Sequence, residues 1–445
     1  MKRGTPARGA ATPPTARDVA ARVVARVVEE QSFAAAALEG ELGRAVQLEA
    51  RDRALATELV YGTLRVMPWL LGEIGRHVPK GIASVDERVR APMVVAAYQL
   101  WFTRVPAFAA VSEAVEAVRH VRGPKVAAFA NAVLRRVSER AAREREQAKD
   151  PEAMRERAVV ESTPAGLRAA LARAMPEEEV RAFLAMGTEP PPVALRVERA
   201  EERDAWIEKL RAAAPGATFE PGRVSPLAIL ARGAGRPQSL PGWSEGAWTV
   251  QEEGSQVAAL ALGAREGERV LDACAGRGNK TGVLARAVGA TGAVDACDTS
   301  PTKLTRLQED LARLGLHVRA THAVDWTVGS GEVTGTYDRV LVDAPCTGVG
   351  TLRRRPEITL RLKEQDLVDK PRAQLAIASR AADHVRPGGS LVYVVCSVLR
   401  EEAEDVIDAL LRARTDLRRA EGGDSRLLPH VQGTDGYFVA RLAKT

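Results

Sequence analysis

The sequence predicts a multidomain protein: an all-α helical bundle, then a small α/β linker domain, then a larger α/β domain built on a doubly wound, mostly parallel sheet. Two observations lead to this prediction. From about residue 17 to 140, apolar residues recur at the spacing of amphipathic helices, without the alternation typical of strands. From residue 265 onwards, short apolar runs alternate with helical stretches, which is the pattern of a parallel sheet covered by helices.

Composition narrows the class of protein. The chain has 445 residues, of which 45% are hydrophobic and 27% charged, so it can bury several cores as ordinary globular proteins do. No run approaches the roughly 18 apolar residues of a membrane span, and no secretory signal is recognisable. Four cysteines are too few for a disulfide framework, which predicts a cytoplasmic protein. The net charge of +6 permits nucleic-acid binding, although a solvated basic surface explains it equally well.

Capping and periodicity predict the N-terminal elements. Residues 1–16 are rich in Gly, Ala, Thr and Pro, which predicts a disordered tail. Thr15 and Asp18 have the spacing of a capping box, so a helix should begin there. We expect residues 17–140 to form a bundle whose further helices lie at 52–66, 85–102, 111–121 and 125–137.

The next two regions are predicted from charge and from mixed periodicity. Residues 141–159 carry charges of both signs, which predicts an exposed helix or a charged linker, and we favour the linker. Residues 160–240 predict the small α/β domain, and its residues do not indicate a function. Its helices are expected at 164–174, 177–186 and 200–214 and its strand at 193–197.

Residues 241–445 form the larger predicted domain, in which two cysteines follow predicted strands. Cys346 lies in the loop after the strand at 339–343, and Cys396 directly follows the strand at 391–395. The carboxyl ends of parallel strands form the ligand-binding edge of such a sheet, so both thiols should face one cleft. An inert buried cysteine is the alternative for each. Cys-x-x-Cys and zinc-ligand spacings do not occur, which favours nucleophilic catalysis over redox or metal chemistry.

A glycine-rich turn follows the first strand of this domain, at 269–273. Gly276 and Gly278 allow the backbone to approach a ligand closely, although the pattern is neither a P-loop nor a strict Gly-x-Gly-x-x-Gly. Asp298 ends the second strand, where a carboxylate can bind ribose hydroxyls; capping of the next helix is the alternative. Asp325 follows a third predicted strand at 318–324 and should lie on the adenine side.

Three motifs of this domain resemble the RNA cytosine-C5 methyltransferase family: Asp272-Ala-Cys-Ala-Gly-Arg-Gly-Asn-Lys-Thr281, Asp343-Ala-Pro-Cys-Thr-Gly-Val-Gly350 and Tyr393-Val-Val-Cys-Ser397. Val250-Gln-Glu-Glu-Gly-Ser-Gln256 and Asp435-Gly-Tyr-Phe438 resemble its flanking motifs. The resemblance implies a class I, Rossmann-like methyltransferase fold with S-adenosyl-L-methionine as the cofactor. The residues expected to bind that cofactor are Asp272, Ala273, Cys274, Ala275, Gly276, Arg277, Gly278, Asn279, Lys280, Asp298, Asp325 and Asp343.

The same resemblance implies a covalent mechanism without a metal. Cys396 is the expected nucleophile at cytosine C6, and Cys346 the residue of product release. Asp343 should bind the N3/N4 edge of the base. Lys280 either orients Asp343 or helps to hold the thiolate form. Cys274 and Cys297 are expected to be structural.

The chain also departs from the family pattern. Its turn reads Gly276-Arg-Gly-Asn-Lys-Thr281 where the family usually has Ala-Pro-Gly-Gly-Lys-Thr, so Arg277 and Asn279 leave the shape of the loop and the cofactor affinity open. The usual Thr before the last cysteine is Val395, and the usual Pro and Asn after it are Arg400 and Ala403.

Phrases in the N-terminal bundle, at 51–65, 97–100, 105–111 and 131–136, resemble the NusB family of small helical RNA-binding domains. The resemblance implies RNA docking, and the expected phosphate contacts are Arg51, Arg53, Arg65, Arg135 and Arg136. Arg353, Arg354 and Arg355 are further candidates, for which a solvated basic turn is the favoured alternative. The whole architecture resembles bacterial enzymes that methylate 16S rRNA. The expected partner is therefore 16S rRNA, naked or in a partly assembled small subunit, bound by a monomer away from membranes.

Several functions compete with this hypothesis. The same chemistry on tRNA or another RNA is the closest alternative. A DNA cytosine methyltransferase is disfavoured, because such enzymes use a Pro-Cys thiol as nucleophile and need no second cysteine at 396. A non-catalytic RNA-binding factor of ribosome assembly is disfavoured by the retention of both thiols and of Asp298.

Overall fold

The computed structural model describes residues 13–148, 150–188 and 190–445, so most of the predicted disordered tail lies outside the described residues. The chain forms two compact units. The first comprises residues up to Pro164 together with Arg355–Arg361, and the second comprises Ala165–Arg354 and Leu362–Thr445. Within the described ranges, no helix has both the length and the apolar character that a membrane crossing requires.

The first unit is helical, as the sequence predicts. Thr15 and Asp18 form the predicted capping box, with the Thr15 side chain accepting from the Asp18 N–H and the Asp18 carboxylate accepting from the Thr15 N–H. Buried apolar side chains from successive helices, among them Leu59, Trp101 and Leu134, form its core. The helices are α1 (Ala16–Glu29), α2 (Ala34–Arg44), α3 (Ala50–Arg65), α4 (Met67–Gly75), α5 (Glu87–Phe102), α6 (Ala107–Arg122), α7 (Pro124–Gln147) and α8 (Pro151–Ser162).

Of the two alternatives predicted for 141–159, the helix is confirmed and the charged linker is wrong, because α7 and α8 occupy most of these residues. Opposite charges four residues apart pair along the helices, as Arg140 does with Glu144 at 2.6 Å. Arg157 of α8 also reaches Glu144 of α7 at 3.3 Å. Ala141 and Ala158 are buried on the inner faces. Mixed charge therefore marks the outer face of two packed helices, and the unit ends near residue 164 instead of residue 140.

Residues 355–361, which the sequence places in the methyltransferase domain, pack within the first unit and contain a short helix, α15 (Ile358–Arg361). The buried carboxylate of Glu357 accepts a hydrogen bond from the Ala34 N–H at 3.3 Å. The guanidinium groups of Arg355 and Arg361 lie 4.9 and 5.5 Å from the centre of the Phe33 ring. Arg361 also donates to the carbonyl of Ser32.

The second unit contains a small antiparallel sheet in the order β2-β3-β1-β4. Leu195, Phe219, Ile229 and Trp248 form its own apolar core. The small domain predicted at 160–240 is therefore too short, since its last strand ends at Val250. Its elements are α9 (Ala165–Ala174), α10 (Glu177–Ala185), β1 (Val193–Val197), α11 (Arg203–Ala213), β2 (Thr218–Pro221), β3 (Ala228–Arg232) and β4 (Trp248–Val250).

The large sheet of the second unit has the predicted doubly wound, mostly parallel topology. Its order is β10-β12-β9-β8-β5-β6-β7, with β11 beside β12; the strands from β7 to β9 run parallel, and β12 pairs antiparallel with β9. Its elements are α12 (Glu253–Leu260), β5 (Arg269–Asp272), α13 (Asn279–Val288), β6 (Ala293–Asp298), α14 (Pro301–Arg313), β7 (Ala320–Ala323), β8 (Tyr337–Asp343), α16 (Asp366–Asp383), β9 (Val385–Val395), α17 (Glu404–Ala413), β10 (Leu417–Arg419), β11 (Ser425–Leu427), α18 (Pro429–Gln432) and β12 (Tyr437–Lys444).

Alternate residues of the central strands point to opposite faces of this sheet. Leu271 packs into a core that α16 and α17 cover, whereas its neighbour Val270 packs into the core under α12, α13 and α14. The chain leaves β5 towards β6 on one side and returns through β8 on the other. The carboxyl ends of β5 and β8 are therefore the switch point of the sheet, where such folds bind ligands.

Candidate active site

The glycine turn between β5 and α13 is held open towards solvent. Gly278 lies in the left-handed region with φ +85°, directly before α13, and Gly276 has φ +57°. A Cβ atom on Gly276 would meet no atom within 4 Å, so a ligand has room there. Arg277 points outwards and pairs with Asp310 at 3.5 Å. The departures from the family pattern therefore leave a tight turn in place, with open space beside Gly276.

Asp298, at the end of β6, forms a hydrogen bond with the glycine turn. Its Oδ2 accepts from the Gly276 N–H at 3.1 Å, and its Oδ1 accepts from the Ser300 N–H at 2.8 Å. The carboxylate thus joins the turn to Ser300, the residue before α14, and its contact with a ribose stays a prediction. Asp325 is exposed after β7 and accepts from the N–H and the hydroxyl of Thr327. Both aspartates lie at the carboxyl edge of the sheet, as predicted.

Lys280 in the first turn of α13 and Asp343 at the end of β8 form an ion pair across the switch point. Nζ of Lys280 lies 2.5 Å from Oδ2 of Asp343, and the lysine side chain is only 10% exposed. Burial alone would lower the pKa of Lys280, but Asp343 outweighs it, and the pKa is raised above its ordinary value. The ammonium group is also 5.7 Å from the centre of the Tyr437 ring. Lys280 is therefore a fixed cation beside the catalytic carboxylate predicted at 343.

The two predicted thiols meet at the same edge. Sγ of Cys346 lies 3.3 Å from Sγ of Cys396. Backbone bonds hold their loops together, because the Ala344 N–H donates to the Val394 carbonyl at 2.9 Å and the Gly350 N–H to the Cys396 carbonyl at 3.0 Å. The hydrogen bond to Cys396 and burial raise the pKa of the Cys346 thiol well above its ordinary value. The two thiols can therefore share a hydrogen bond, in which either sulfur can be the donor.

Other residues of the glycine turn that were predicted to bind the cofactor are buried below it. Asp272, Ala273 and Ala275 are buried, and the Thr281 hydroxyl donates to the Asp272 carboxylate at 2.8 Å. Burial raises the pKa of Asp272 to about 7. Cys274 and Cys297 pack with the apolar core on one face of the sheet, as expected of structural cysteines. Among the described residues, no group of three or more potential metal ligands is arranged to hold an ion.

The arginines at 353–355 do not form the solvated basic turn that the sequence favours. Arg353 is buried and donates to the Gly433 carbonyl at 3.4 Å. Arg354 pairs with Asp435 at 3.0 Å and donates to the Pro192 carbonyl at 2.9 Å. Arg355 stacks on the Phe33 ring within the first unit. Backbone-carbonyl, carboxylate and aromatic partners inside the fold therefore bind these three guanidinium groups, which composition could not indicate.

The predicted phosphate contacts of the first unit differ in exposure. Arg51 on α3 and Arg135 and Arg136 on α7 are exposed, whereas Arg53 and Arg65 are half-buried. Arg53 donates to the Ala45 carbonyl at 3.3 Å. Arg135 also borders a groove of about 700 Å³ between α6 and α7, beside the exposed ring of Phe108. Arg51, Arg135 and Arg136 are thus all exposed enough to contact a large ligand.

Sequence reasoning did not assign a role to two buried residues behind the thiols, Glu402 and Gln374. Neither is exposed, and both bond to residues next to Cys346. The only sequence signal for Glu402 was that a carboxylate follows a predicted catalytic strand by a few residues. The only signal for Gln374 was a polar residue on the inner face of a helix.

Comparison with known proteins agrees with this architecture. Residues 259–443 match the family model described as 16S rRNA methyltransferase RsmB/F, and residues 14–139 match that of the NusB family. The "Ribosomal RNA small subunit methyltransferase B" of Erwinia tasmaniensis is 32% identical over 96% of this chain and 98% of its own length. The protein of that name from Xylella fastidiosa is 33% identical over 96% of this chain and 97% of its own.

Solved structures share the fold. The crystal structure of PH0851 superimposes with a TM-score of 0.81 at 22% identity, covering 97% of this chain and 99% of that one. The structure of NSun6 from Pyrococcus horikoshii with SFG gives a TM-score of 0.57 at 20% identity, covering 64% of this chain and 99% of that one. With relatives above 30% identity over nearly its whole length, the chain belongs to the RsmB/F family of 16S rRNA methyltransferases.

Proposed function

We propose that this chain transfers a methyl group from S-adenosyl-L-methionine to C5 of a cytosine in 16S rRNA through a covalent bond between Cys396 and C6. The observation that carries the proposal is the 3.3 Å approach of the Cys346 and Cys396 sulfurs at the carboxyl edge of the sheet. The Lys280–Asp343 pair lies at the same switch point, so the groups that such a reaction needs share one site.

The chemistry of the base explains the need for a thiol. Cytosine C5 is a weak nucleophile, and a thiolate that adds to C6 moves an electron pair onto C5. The glycine turn and Asp298 would hold S-adenosyl-L-methionine, which would supply the electrophilic methyl group to C5 and leave as S-adenosylhomocysteine. Transfer of the C5 proton to a water molecule then returns the electron pair to the C5–C6 bond as the bond to sulfur breaks. Cys396 leaves as a thiolate, which is how covalent catalysis divides one difficult step into easier ones.

The surrounding residues serve different steps of this sequence. Asp343 binds the N3/N4 edge of the cytosine, and Lys280 holds that carboxylate in place while adding positive charge near the sulfurs. The thiol of Cys346 lies 3.3 Å from Cys396, close enough to donate a hydrogen bond to Cys396 when it leaves as a thiolate. A base must leave its stack to reach this edge, which suits a single-stranded or loop target.

The substrate assignment follows from the relatives, whose names specify the small-subunit RNA. The first unit, with its match to the NusB family, docks the RNA, and its exposed arginines on α7 contact phosphates. The same chemistry on tRNA is the alternative. Supplying undermodified 16S rRNA, partly assembled small subunits and tRNA in parallel, with labelled S-adenosyl-L-methionine, separates these substrates.

The mechanism is tested by a denaturing gel of each cysteine variant with labelled 16S rRNA and S-adenosyl-L-methionine. Cys396→Ala should abolish both methyl transfer and any covalent adduct. Cys346→Ala should still methylate the RNA but remain bonded to it as a slow band. Cys297→Ala, which removes a buried thiol on β6 away from this pair, is the matched control and should release its product. An adduct with Cys396→Ala but not with Cys346→Ala would reverse the roles of the two thiols.

A further inference from the structure

Glu402 is a fully buried carboxylate behind the loop that carries Cys346. It lies in a single turn of 3-10 helix after β9 and is 0% exposed. Its Oε1 accepts from the backbone N–H of Thr347 at 2.8 Å, and its Oε2 accepts from the Thr347 hydroxyl. Both bonds end on the residue that directly follows Cys346. Withdrawing a carboxylate from water is costly, so such a group is stable only with bonds of this kind.

Gln374 bonds the residue that precedes Cys346. It lies on α16 and is 0% exposed. Its Nε2 donates to the Pro345 carbonyl at 3.1 Å and to Oε1 of Glu402 at 2.9 Å. Because a carbonyl and a carboxylate only accept hydrogen bonds, these partners fix which end of the amide carries nitrogen. Cys346 is therefore bracketed by bonds to both of its neighbours in the chain, and the two bracketing side chains are bonded to each other.

We call the pair Glu402 and Gln374 the bracket. It is anchored to the sheet independently of the loop that carries Cys346. The hydroxyl of Tyr393, on β9, donates to the backbone carbonyl of Glu402 at 2.7 Å, and the Tyr393 side chain is fully buried. Tyr393 lies on β9, three residues before Cys396, which directly follows the end of that strand. One rigid element thus carries Cys396 and, through Glu402, also fixes the position of Cys346.

We propose that Glu402 and Gln374 are positioning residues that hold Cys346 at the distance from Cys396 needed for product release. This inference rests on the proposed covalent mechanism. Neither residue touches the RNA or the cofactor in this scheme; they act through Thr347 and Pro345. Loosening the bracket lets the Cys346 thiol drift from its partner, which slows breakage of the carbon–sulfur bond and spares the steps before it. A displacement of about 1 Å at a catalytic group can cost on the order of 100-fold in rate.

The test follows the covalent adduct over time in Glu402→Ala, Glu402→Gln and Gln374→Leu, with the full-length protein, labelled 16S rRNA and S-adenosyl-L-methionine. Glu402→Ala should slow adduct breakdown by about 10- to 100-fold while single-turnover methyl transfer and the KM for RNA change little. Glu402→Gln should recover most of the rate, because its carbonyl can accept from Thr347 and Gln374, and its amide can donate to the Thr347 hydroxyl. Gln374→Leu should also accumulate adduct.

The matched control is Asp295→Asn, which alters another buried carboxylate of the same sheet. Asp295 is 1% exposed and accepts from the Tyr337 hydroxyl at 2.6 Å and from Arg319, and neither partner lies in the thiol loops. It should lower thermal stability without accumulating adduct. The bracket is refuted if Glu402→Ala releases product at the wild-type rate, or if it loses methyl transfer and release equally, as a general structural defect would.

The remaining outcomes separate this inference from the mechanism on which it rests. If Glu402→Ala does not fold, Gln374→Leu decides alone, and its wild-type release would refute the bracket. If neither Cys346→Ala nor Cys396→Ala forms an adduct while the wild type turns over, the covalent mechanism fails, and the bracket that rests on it is overturned as well. Adduct with Cys346→Ala and none with either bracket variant would instead leave the mechanism standing and overturn the bracket.

Discussion

Replacing Lys280 with methionine removes an ammonium group and keeps an apolar side chain of similar length. Nζ lies 2.5 Å from Asp343, and the two side chains are 10% and 28% exposed. Breaking a fully buried pair by removing one partner costs about 3–5 kcal/mol, whereas losing a hydrogen bond to a charged group costs about 1.5–3 kcal/mol. Because water still reaches Asp343, we expect Lys280→Met to lower the free energy of unfolding by about 2–3 kcal/mol.

The pH dependence of this loss follows from the direction of the pKa shift. Asp343 raises the pKa of Lys280 above its ordinary value of 10.5 despite the opposing effect of burial. A cation whose folded-state pKa is raised contributes its full stabilisation below the unfolded-state pKa and loses it as the pH rises through the folded-state one. The difference in free energy of unfolding between the wild type and Lys280→Met, measured by urea unfolding, should therefore be the same at about pH 7 and about pH 9.

Lys303→Met is the control for this comparison. Lys303 also pairs with an aspartate, Asp298, at 3.4 Å, but its side chain is 53% exposed. Such exposed pairs contribute about 0–1 kcal/mol. If Lys280→Met destabilises the protein no more than Lys303→Met, or if its effect disappears between about pH 7 and about pH 9, the ion pair is not the buried contact described above.

Three further predictions concern the cofactor, the RNA and a buried acid. Asp298→Ala should weaken S-adenosyl-L-methionine binding by about 1.5–3 kcal/mol in calorimetry, and unchanged affinity would remove it from the site. Replacing Arg135 and Arg136 with alanine should weaken 16S rRNA binding and flatten its salt dependence, and an unaltered salt slope would exclude phosphate contacts there. Burial raises the pKa of Asp272 to about 7. The free energy of unfolding of the wild type should therefore fall relative to that of Asp272→Asn as the pH rises from about 4 to about 7, and should not change further above about pH 7. A difference that stays constant from about pH 4 to about pH 7 would contradict this prediction.

Local signals in the sequence predict the elements and the candidate active site well. The capping box at Thr15 forms as predicted, and the strands before Asp298, Asp343 and Cys396 all occur. Once a parallel sheet is predicted, its topology brings the carboxyl ends of β5 and β8 together. Lys280 and Asp343, 63 positions apart in sequence, could therefore be expected at one edge without knowledge of any distance.

Residues whose partners are distant in sequence were not predictable in this way. Glu402 bonds Thr347 from 55 positions away, and Arg354 pairs with Asp435 from 81 positions away. A buried carboxylate and an exposed one look alike in a sequence, because only tertiary packing decides which of them leaves water. The segment 355–361 was placed with the wrong unit for the same reason, since Arg355 and Arg361 find their aromatic partner at Phe33.

The small antiparallel sheet has a role at the candidate active site that its own residues could not indicate. Arg196 on β1 is 1% exposed, and its guanidinium group donates to the backbone carbonyl of Asn279 at 2.7 Å. Glu198 and Gln251 bind the same guanidinium group, each at 2.7 Å. Asn279 directly precedes Lys280, so this network fixes the start of α13 from behind. The small sheet thus helps to set where the lysine meets Asp343, and it is part of the scaffold of the site.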